Sequence, residues 1–299
     1  MADTDEQRVR ILVTNDDGVS APGIRWLARA AHARGHDVVV AAPQREASGM
    51  SAALSAVLDE GRVVFEHASL PGLDGVPAFG VAASPAYITV LAGLGVFGPP
   101  PDVVLSGINR GANAGHAVLH SGTVGAALTA ANSGVRAMAV SLDVLSPAAG
   151  GSASGGAAIA DLDAVDDESR HWATAADLAA RLLPWLLDAP GGTVLNLNVP
   201  DRAPAEVRGL REATLAPFGQ VQMAVAETGQ GFVRTAIEQN GAQAPGSDIA
   251  WLADGYASVT AISPPAQVTG LTLPTGAGDQ VQGVQARQGP SSPGQLAGE

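Results

Sequence analysis

The sequence predicts an α/β fold built on a mostly parallel β-sheet, and three observations support this. Residues 9–14, 37–42 and 102–106 are short apolar runs, typical of strands that are covered on both faces. A helical pattern separates the first two, and strand, helix and strand at this spacing form a βαβ unit with parallel strands. With 299 residues, the chain is long enough for one large domain or two small ones.

The first βαβ unit has clear start and stop signals. Residues 9–14 predict its first strand, and residues 37–42 predict its second. The helix between them has Ser20 as a cap, Pro22 in its first turn and Gly35 as a C-terminal stop.

The middle of the chain continues the alternation after an excursion. Residues 51–80 predict an irregular or antiparallel segment with short strands, and residues 85–94 predict a helix. The buried strand of residues 102–106 then leads into a loop rich in glycine and asparagine, residues 107–115. Next come a helix of small residues and another strand, which we place at residues 123–133 and 137–142.

The second half predicts an amphipathic helix, two further strands and a hairpin, placed at residues 171–187, 193–199, 256–262 and 221–237. Composition sets the domain boundaries. We predict a domain over residues 9–270, a flexible insertion at about 146–167, and disordered ends at residues 1–8 and 275–299.

Composition excludes several classes of function. The net charge is −13, which disfavours a nucleic-acid polymer or an anionic membrane as a partner, because both need a basic surface. Without cysteine the chain has neither disulfides nor thiolate sites. No signal peptide is visible, and the longest apolar stretch, residues 86–98, is too short to span a bilayer. We expect a cytoplasmic protein.

Two adjacent carboxylates, Asp16 and Asp17, follow the first strand directly. At the end of a buried strand such a pair loses water and repels itself, so it is costly unless a cation neutralises it. The sequence therefore predicts a metal site here. A plain Asp-Asp-Gly turn is the alternative, because Asp bonds its own backbone and Gly18 accepts a positive φ.

Two more strands that we predict to be parallel also end in polar groups. The second is followed by a loop with Ser48 and Gly49, and the third ends in Ser106, Gly107 and, two residues on, Asn109. Ligands of open α/β sheets bind beyond the carboxyl ends of the strands, where these loops would meet. Their oxygen atoms suit one Mg²⁺, Mn²⁺ or Ca²⁺ ion. Each motif alone also fits an ordinary loop or turn.

A glycine-containing turn, Ser121, Gly122 and Thr123, opens the helix of small residues. Its backbone N–H groups and the helix dipole predict an anion site, and a plain helix cap is the alternative. A divalent cation beside an anion site suits phosphate-ester chemistry. His116 and His120 lack a nearby third nitrogen or sulfur ligand, which disfavours zinc. The P-loop, dinucleotide-binding and hydrolase-elbow motifs are all missing from the sequence.

These motifs resemble, in order and spacing over residues 9–262, those of the SurE family, the survival-protein 5′/3′-nucleotidases. The N-terminal match is Ile-Leu-Val-Thr-Asn-Asp-Asp-Gly at residues 11–18, followed by Ala-Pro-Gly-Ile at 21–24. The other matching segments are residues 42–43 with 48–49, residues 106–109 with Gly111 and Asn113, and residues 121–124, 195–200, 247–248 and 254–256.

The resemblance implies a Rossmann-like three-layer core with a projecting hairpin and a C-terminal segment used for dimer or tetramer assembly. It implies a metal-dependent phosphatase acting on nucleoside 5′- and 3′-monophosphates or other small phosphate esters. Asp16 and Asp17 would be catalytic and would hold the metal with Ser48 and Asn109. The remaining implied substrate-binding positions are Asn15, Gly49, Ser106, Gly107, Asn113, Ser121, Gly122 and Thr123.

Three positions depart from the family pattern. Tyr87 stands where the family commonly has Asp, His120 where it has Tyr, and Thr129 where it has Glu. These changes motivate an alternative: a regulatory protein that binds metal and nucleotide with weakened or lost turnover. A structural oligomer without a ligand is a third hypothesis. Sequence leaves open whether Asp16 attacks phosphorus itself or a metal-bound water does so.

Overall fold

The computed structural model describes residues 8–144, 166–217, 221–229, 232–239, 244–268 and 270. The chain divides into one unit of residues 1–264 and a second of residues 265–299, and all of the elements below belong to the first. The helices are α1 (Pro22–Ala33), α2 (Pro85–Gly93), α3 (Gly122–Asn132), α4 (Trp172–Asp188) and α5 (Asp248–Ala253). The strands are β1 (Arg10–Thr14), β2 (Asp37–Pro43), β3 (Leu58–Asp59), β4 (Arg62–Val63), β5 (Phe65–His67), β6 (Ala78–Val81), β7 (Val103–Arg110), β8 (Arg136–Asp143), β9 (Val194–Pro200), β10 (Leu210–Glu212), β11 (Val221–Gly229), β12 (Phe232–Gln239) and β13 (Ala257–Ile262).

Nine strands form one sheet in the order β10-β13-β9-β8-β7-β1-β2-β6-β5. The six central strands, from β9 to β6, run parallel, whereas β5 and β13 are antiparallel to their neighbours β6 and β9. The prediction of a mostly parallel α/β sheet is therefore confirmed. From β1 the chain first moves outward to β2 and later returns to β7 on the other side. This reversal opens a crevice at the carboxyl ends of β1 and β7.

The sheet is covered on both faces because consecutive side chains of a strand alternate between them. In β1, Ile11 and Val13 pack with α1 and α4 in one core cluster, whereas Leu12 packs with α2 and α3 in the other. The helix of small residues, α3, buries Ala126, Ala127 and neighbouring positions. The three-layer core implied by the resemblance is thus observed. None of the described helices combines the length and apolar character needed to cross a membrane.

The third predicted strand is longer than its apolar run. β7 continues through Gly107 and Asn109 to Arg110, where we predicted a loop. Gly107 lies inside the sheet with φ 136°, and a Cβ there would stand 2.2 Å from the carbonyl oxygen of Val140. The glycine is therefore required by close approach to β8, and a turn signal was the wrong interpretation of it.

Other boundaries shift by one or two residues, and the short elements β6, β10 and α5 were not predicted. The antiparallel pairing of β11 with β12 confirms the predicted hairpin. The predicted tail, all but the last residue of the predicted N-terminal segment and most of the predicted insertion lie outside the described residues. The last two residues of the predicted insertion, Asp166 and Asp167, are described and lead into a short 3₁₀ helix. Assembly through the hairpin and the C-terminal segment stays a prediction.

Candidate active site

A cleft of about 260 Å³ lies at the carboxyl ends of β1 and β7, where the strand order reverses. Three loops and the start of α3 form its walls. The described residues that line it are Asp16, Asp17, Glu46, Ser48, Gly49, Asn109, Arg110, Asn113, Ala117, His120, Ser121 and Gly122. All four predicted metal ligands are among them, so the tertiary structure brings together groups that are up to 93 positions apart in sequence (Asp16 to Asn109).

Asp16 and Asp17 are held at the base of the cleft. Asp16 is only 5 % exposed, and its Oδ1 atom accepts a hydrogen bond from the Thr123 hydroxyl at 2.5 Å. Burial raises the pKa of Asp16, against the lowering effect of that bond. Burial, followed by the neighbouring charge of Asp16, raises the pKa of Asp17 to about 7. Ionising both carboxyl groups is therefore unfavourable without a cation.

The residues fit a hard divalent cation. The Oδ2 atom of Asp17 is buried and has no hydrogen-bond partner among the described residues. A buried carboxylate oxygen without a donor is costly, and a cation would satisfy it. Carboxylate, hydroxyl and amide oxygens are the ligands that Mg²⁺ and Mn²⁺ favour. Among the described residues, the cleft included, no three His, Asp or Glu side chains are grouped closely enough to hold a metal by themselves, so the ligand set also needs the Ser48 hydroxyl and the Asn109 carbonyl oxygen.

The other two predicted ligands come from the end of β7 and from the loop after β2. The Asn109 amide donates from Nδ2 to the carbonyl oxygen of Gly111 at 2.8 Å, so the ligand it can offer is its own carbonyl oxygen. Ser48 is exposed, and its hydroxyl donates to Glu46 Oε1 at 2.6 Å. Sequence reasoning missed Glu46. The only sequence signal that could have indicated Glu46 is its position, two residues before the candidate ligand Ser48.

The predicted anion site lies next to Asp16. The Ser121 hydroxyl caps α3 by accepting from the backbone N–H of Val124 at 3.0 Å. A Cβ at Gly122 would stand 2.7 Å from Asp16 Oδ2, so only glycine allows the helix to start this close to the carboxylate. The N-terminal dipole of α3 therefore acts on the same cleft as the two carboxylates.

Asn113 lines the cleft and is fixed by β8 and β9. Its Nδ2 atom donates to the Ser141 hydroxyl at 2.9 Å, and its backbone N–H donates to Asn198 Oδ1 at 2.8 Å. Its carbonyl oxygen accepts from the side-chain amides of Asn196 and Asn198. The asparagines of β9 thus position the loop that carries Asn113.

Four predicted substrate-binding residues are buried beneath the cleft and are not part of its lining. Asn15 exchanges hydrogen bonds with the backbone of Gly18, and Thr123 donates to Asp16. Ser106 and Gly107 lie inside the sheet. In this structure these residues hold the cleft in shape. The motifs that contain these residues also supply residues of the cleft lining. Sequence spacing alone does not separate lining positions from supporting ones.

Of the three departures from the family pattern, only His120 lines the cleft. Tyr87 packs against the core cluster on the α2 and α3 side of the sheet. Thr129 donates to the carbonyl oxygen of Gly125 within α3. The changes at Tyr87 and Thr129 therefore act away from the lining.

Without metal, the Asp17 carboxyl group is expected to make the protein less stable as the pH rises from about 4 to about 7. Its pKa is raised from 3.8 to about 7, so in this range the folded chain keeps a proton that the unfolded chain releases. The free energy of unfolding then falls as the pH rises. Thermal unfolding in chelator at about pH 5 and about pH 8 tests this. Wild type should lose more stability between the two conditions than Asp17→Asn, and equal losses would contradict the assignment.

Comparison with known proteins agrees with the geometry of the fold. The family model of survival protein SurE matches residues 11–222. A 5′/3′-nucleotidase SurE from Edwardsiella ictaluri is 38 % identical over 205 residues, which cover 68 % of each chain. A 5′-nucleotidase SurE from Aeromonas hydrophila is 33 % identical over 261 residues, covering 85 % of this chain and 92 % of the relative.

A solved structure is similar as well. The crystal structure of the SurE protein from Aquifex aeolicus superimposes with a TM-score of 0.63 at 25 % identity, and the match covers 85 % of this chain and 93 % of that one. The family model covers most of the chain, and the relatives match over most of their own length. The chain belongs to the SurE family.

Proposed function

We propose that this protein is a hydrolase that releases phosphate from nucleoside 5′- and 3′-monophosphates, using one bound divalent cation per subunit. The observation that carries the proposal is the pair of adjacent carboxylates beside the N-terminus of α3, of which Asp16 is buried and Asp17 is half-buried with a buried, unpartnered Oδ2 atom. Substrate class is supported by relatives named 5′-nucleotidase or 5′/3′-nucleotidase SurE, including one from Escherichia coli that is 34 % identical over 258 residues.

The residues of the cleft have separate tasks in this proposal. Asp16, Asp17, Ser48 and Asn109 would hold the cation, which supplies Lewis-acid polarisation of a phosphoryl oxygen when bound. The backbone N–H groups at the start of α3 bind phosphoryl oxygens. Asn113 orients the ester from its fixed position on the loop after β7. Thr123 keeps Asp16 in place by donating to its carboxylate.

The test measures phosphate release from AMP, 3′-AMP and an aryl phosphate, with Mg²⁺, Mn²⁺ or Ca²⁺ and with chelator. We expect hydrolysis with a divalent ion and its loss in chelator. The same ions should raise the melting temperature, because a ligand at 100 times its Kd stabilises the native state by about 2.7 kcal/mol. Undiminished hydrolysis in chelator would contradict the metal site.

A second candidate is a regulatory protein that binds nucleotide without turnover, and the presence of His120 in the cleft favours it. Calorimetry separates the two functions. Nucleotide binding with every metal but without phosphate release would support the regulatory protein. A ligand-free structural oligomer is ruled out if any divalent ion stabilises the fold.

A further inference from the structure

The charge of the cleft is unbalanced for an anionic substrate. Asp16, Asp17 and Glu46 contribute three carboxylates to the lining. Among the described lining residues, Arg110 alone carries a permanent positive charge. A phosphomonoester that enters this cleft meets strong repulsion, and one divalent cation offsets only part of it. A guanidinium group matches two oxygens of a phosphoryl group, which makes Arg110 the side chain suited to bind it.

We propose that the Arg110 guanidinium binds non-bridging oxygens of the substrate's phosphoryl group, and that Asp167 positions it for this contact. The inference rests on the phosphomonoesterase function proposed above. Arg110 ends β7, directly after the candidate ligand Asn109. The backbone N–H of Arg110 lies close enough to Asp17 to lower the pKa of that carboxyl group, and Arg110 is one of the residues that line the cleft.

Asp167 lies where it can hold the Arg110 guanidinium, and it is shared with Arg170. Its Oδ1 atom is 3.7 Å from Arg110 Nη1 but only 2.8 Å from Arg170 Nε. Arg170 is 3 % exposed and also pairs with Asp201 at 3.2 Å. These contacts link Arg110 through Asp167 and Arg170 to Asp201. Asp167 is itself fixed, since its carbonyl oxygen accepts from the indole N–H of Trp172.

This arrangement gives a role to the end of the predicted insertion. Asp167 was the last residue of that predicted insertion, yet it contacts Arg110, which lines the cleft. The rival explanation is that the Arg110–Asp167 pair only fastens the turn of residues 166–169 to the fold. A matched control exists, because Arg25 Nη2 pairs with the neighbouring Glu168 at 2.7 Å and does not line the cleft.

The experiment measures the affinity of inorganic phosphate by calorimetry in Mn²⁺, together with kcat and KM for AMP. We expect Arg110→Ala to weaken phosphate binding by about 10- to 100-fold, since a bond to a charged group is lost. It should lower kcat/KM by about 10²-fold or more, and added guanidinium at low concentration should restore part of this loss. Arg25→Ala should change neither quantity.

The role of Asp167 is tested by a double-mutant cycle. Asp167→Asn should weaken phosphate binding less than Arg110→Ala, and the double variant should be no weaker than Arg110→Ala alone, because Asp167 acts through Arg110. Additive losses would overturn the positioning role. Phosphate binding by Arg110→Ala as tight as wild type, or an equal loss in Arg25→Ala, would overturn the inference and leave the proposed function standing. If Arg110→Ala loses phosphate binding but the wild type hydrolyses no ester, the proposed phosphomonoesterase function is overturned and the role of Arg110 in phosphate binding stands.

Discussion

Replacing Asp16 by Asn is expected to reduce phosphate release from AMP by about 10³-fold, or about 4 kcal/mol of transition-state stabilisation. The amide keeps the size of the side chain and can still accept from Thr123, but it offers the cation no negative charge. The variant should also lose the rise in melting temperature caused by Mn²⁺. Steady-state kinetics and thermal unfolding with and without Mn²⁺ measure the two effects.

The same substitution should not harm the metal-free protein. Burial raises the pKa of Asp16, which means that its charged form is unfavourable in the folded state. A neutral amide avoids this cost, so metal-free Asp16→Asn should be at least as stable as wild type in chelator at pH above neutrality. If Asp16→Asn were inactive only because it unfolds, it would be less stable than wild type in chelator.

Asp37→Asn is the control for Asp16→Asn. Asp37 begins β2, at the opposite end of the sheet from the cleft, and its Oδ2 atom pairs with Arg10 Nη1 at 2.5 Å. This variant should lose a modest amount of stability and keep kcat and the response to Mn²⁺. Activity of Asp16→Asn within about threefold of wild type would contradict the central role of Asp16.

Replacing Trp172 by Ala is expected to destabilise the fold by about 3–5 kcal/mol. Trp172 is 2 % exposed, in the core cluster between α1, α4 and the sheet. The truncation leaves a cavity and also removes the N–H donor that bonds to the carbonyl oxygen of Asp167 at 2.6 Å. Urea denaturation measures the change. Trp172→Phe should cost less, because it retains an aromatic ring in the cavity.

Trp185 supplies the control on the same helix. It also lies on α4 but is 56 % exposed, so Trp185→Ala should change the free energy of unfolding by less than about 1 kcal/mol. Equal losses for the two tryptophans would show that α4 does not pack on the face described above.

Much of the core could be predicted because its signals are local. An apolar run of strand length, such as the one ending at Thr14, needs no knowledge of distant residues to be identified. A cap and a proline mark the start of α2 in the same way: Ser84 accepts from the backbone N–H of Tyr87, and Pro85 follows it. The short elements β10 and α5 escaped prediction because three and six residues carry too little periodicity.

The lining of the cleft could be predicted only in part. Asp16, Asp17 and Ser121 follow or begin elements with clear ends, so the rule for open sheets places them at the cleft. Glu46 and Arg110 were missed because their contribution depends on how the loops converge. The prediction of a loop at Gly107 was wrong, because its positive φ allows a close approach to Val140 within the sheet and does not form a turn.

By itself the sequence determined the α/β class, the parallel core and the carboxylate pair, because periodicity and adjacency are properties of neighbouring residues. Only the tertiary structure decided which polar groups line the cleft and which support it. It buried Asn15 and Ser106, exposed Ser48, and brought Asp167 beside Arg110. The physical reason is that burial and charge pairing depend on strand order and on contacts between residues far apart in the chain.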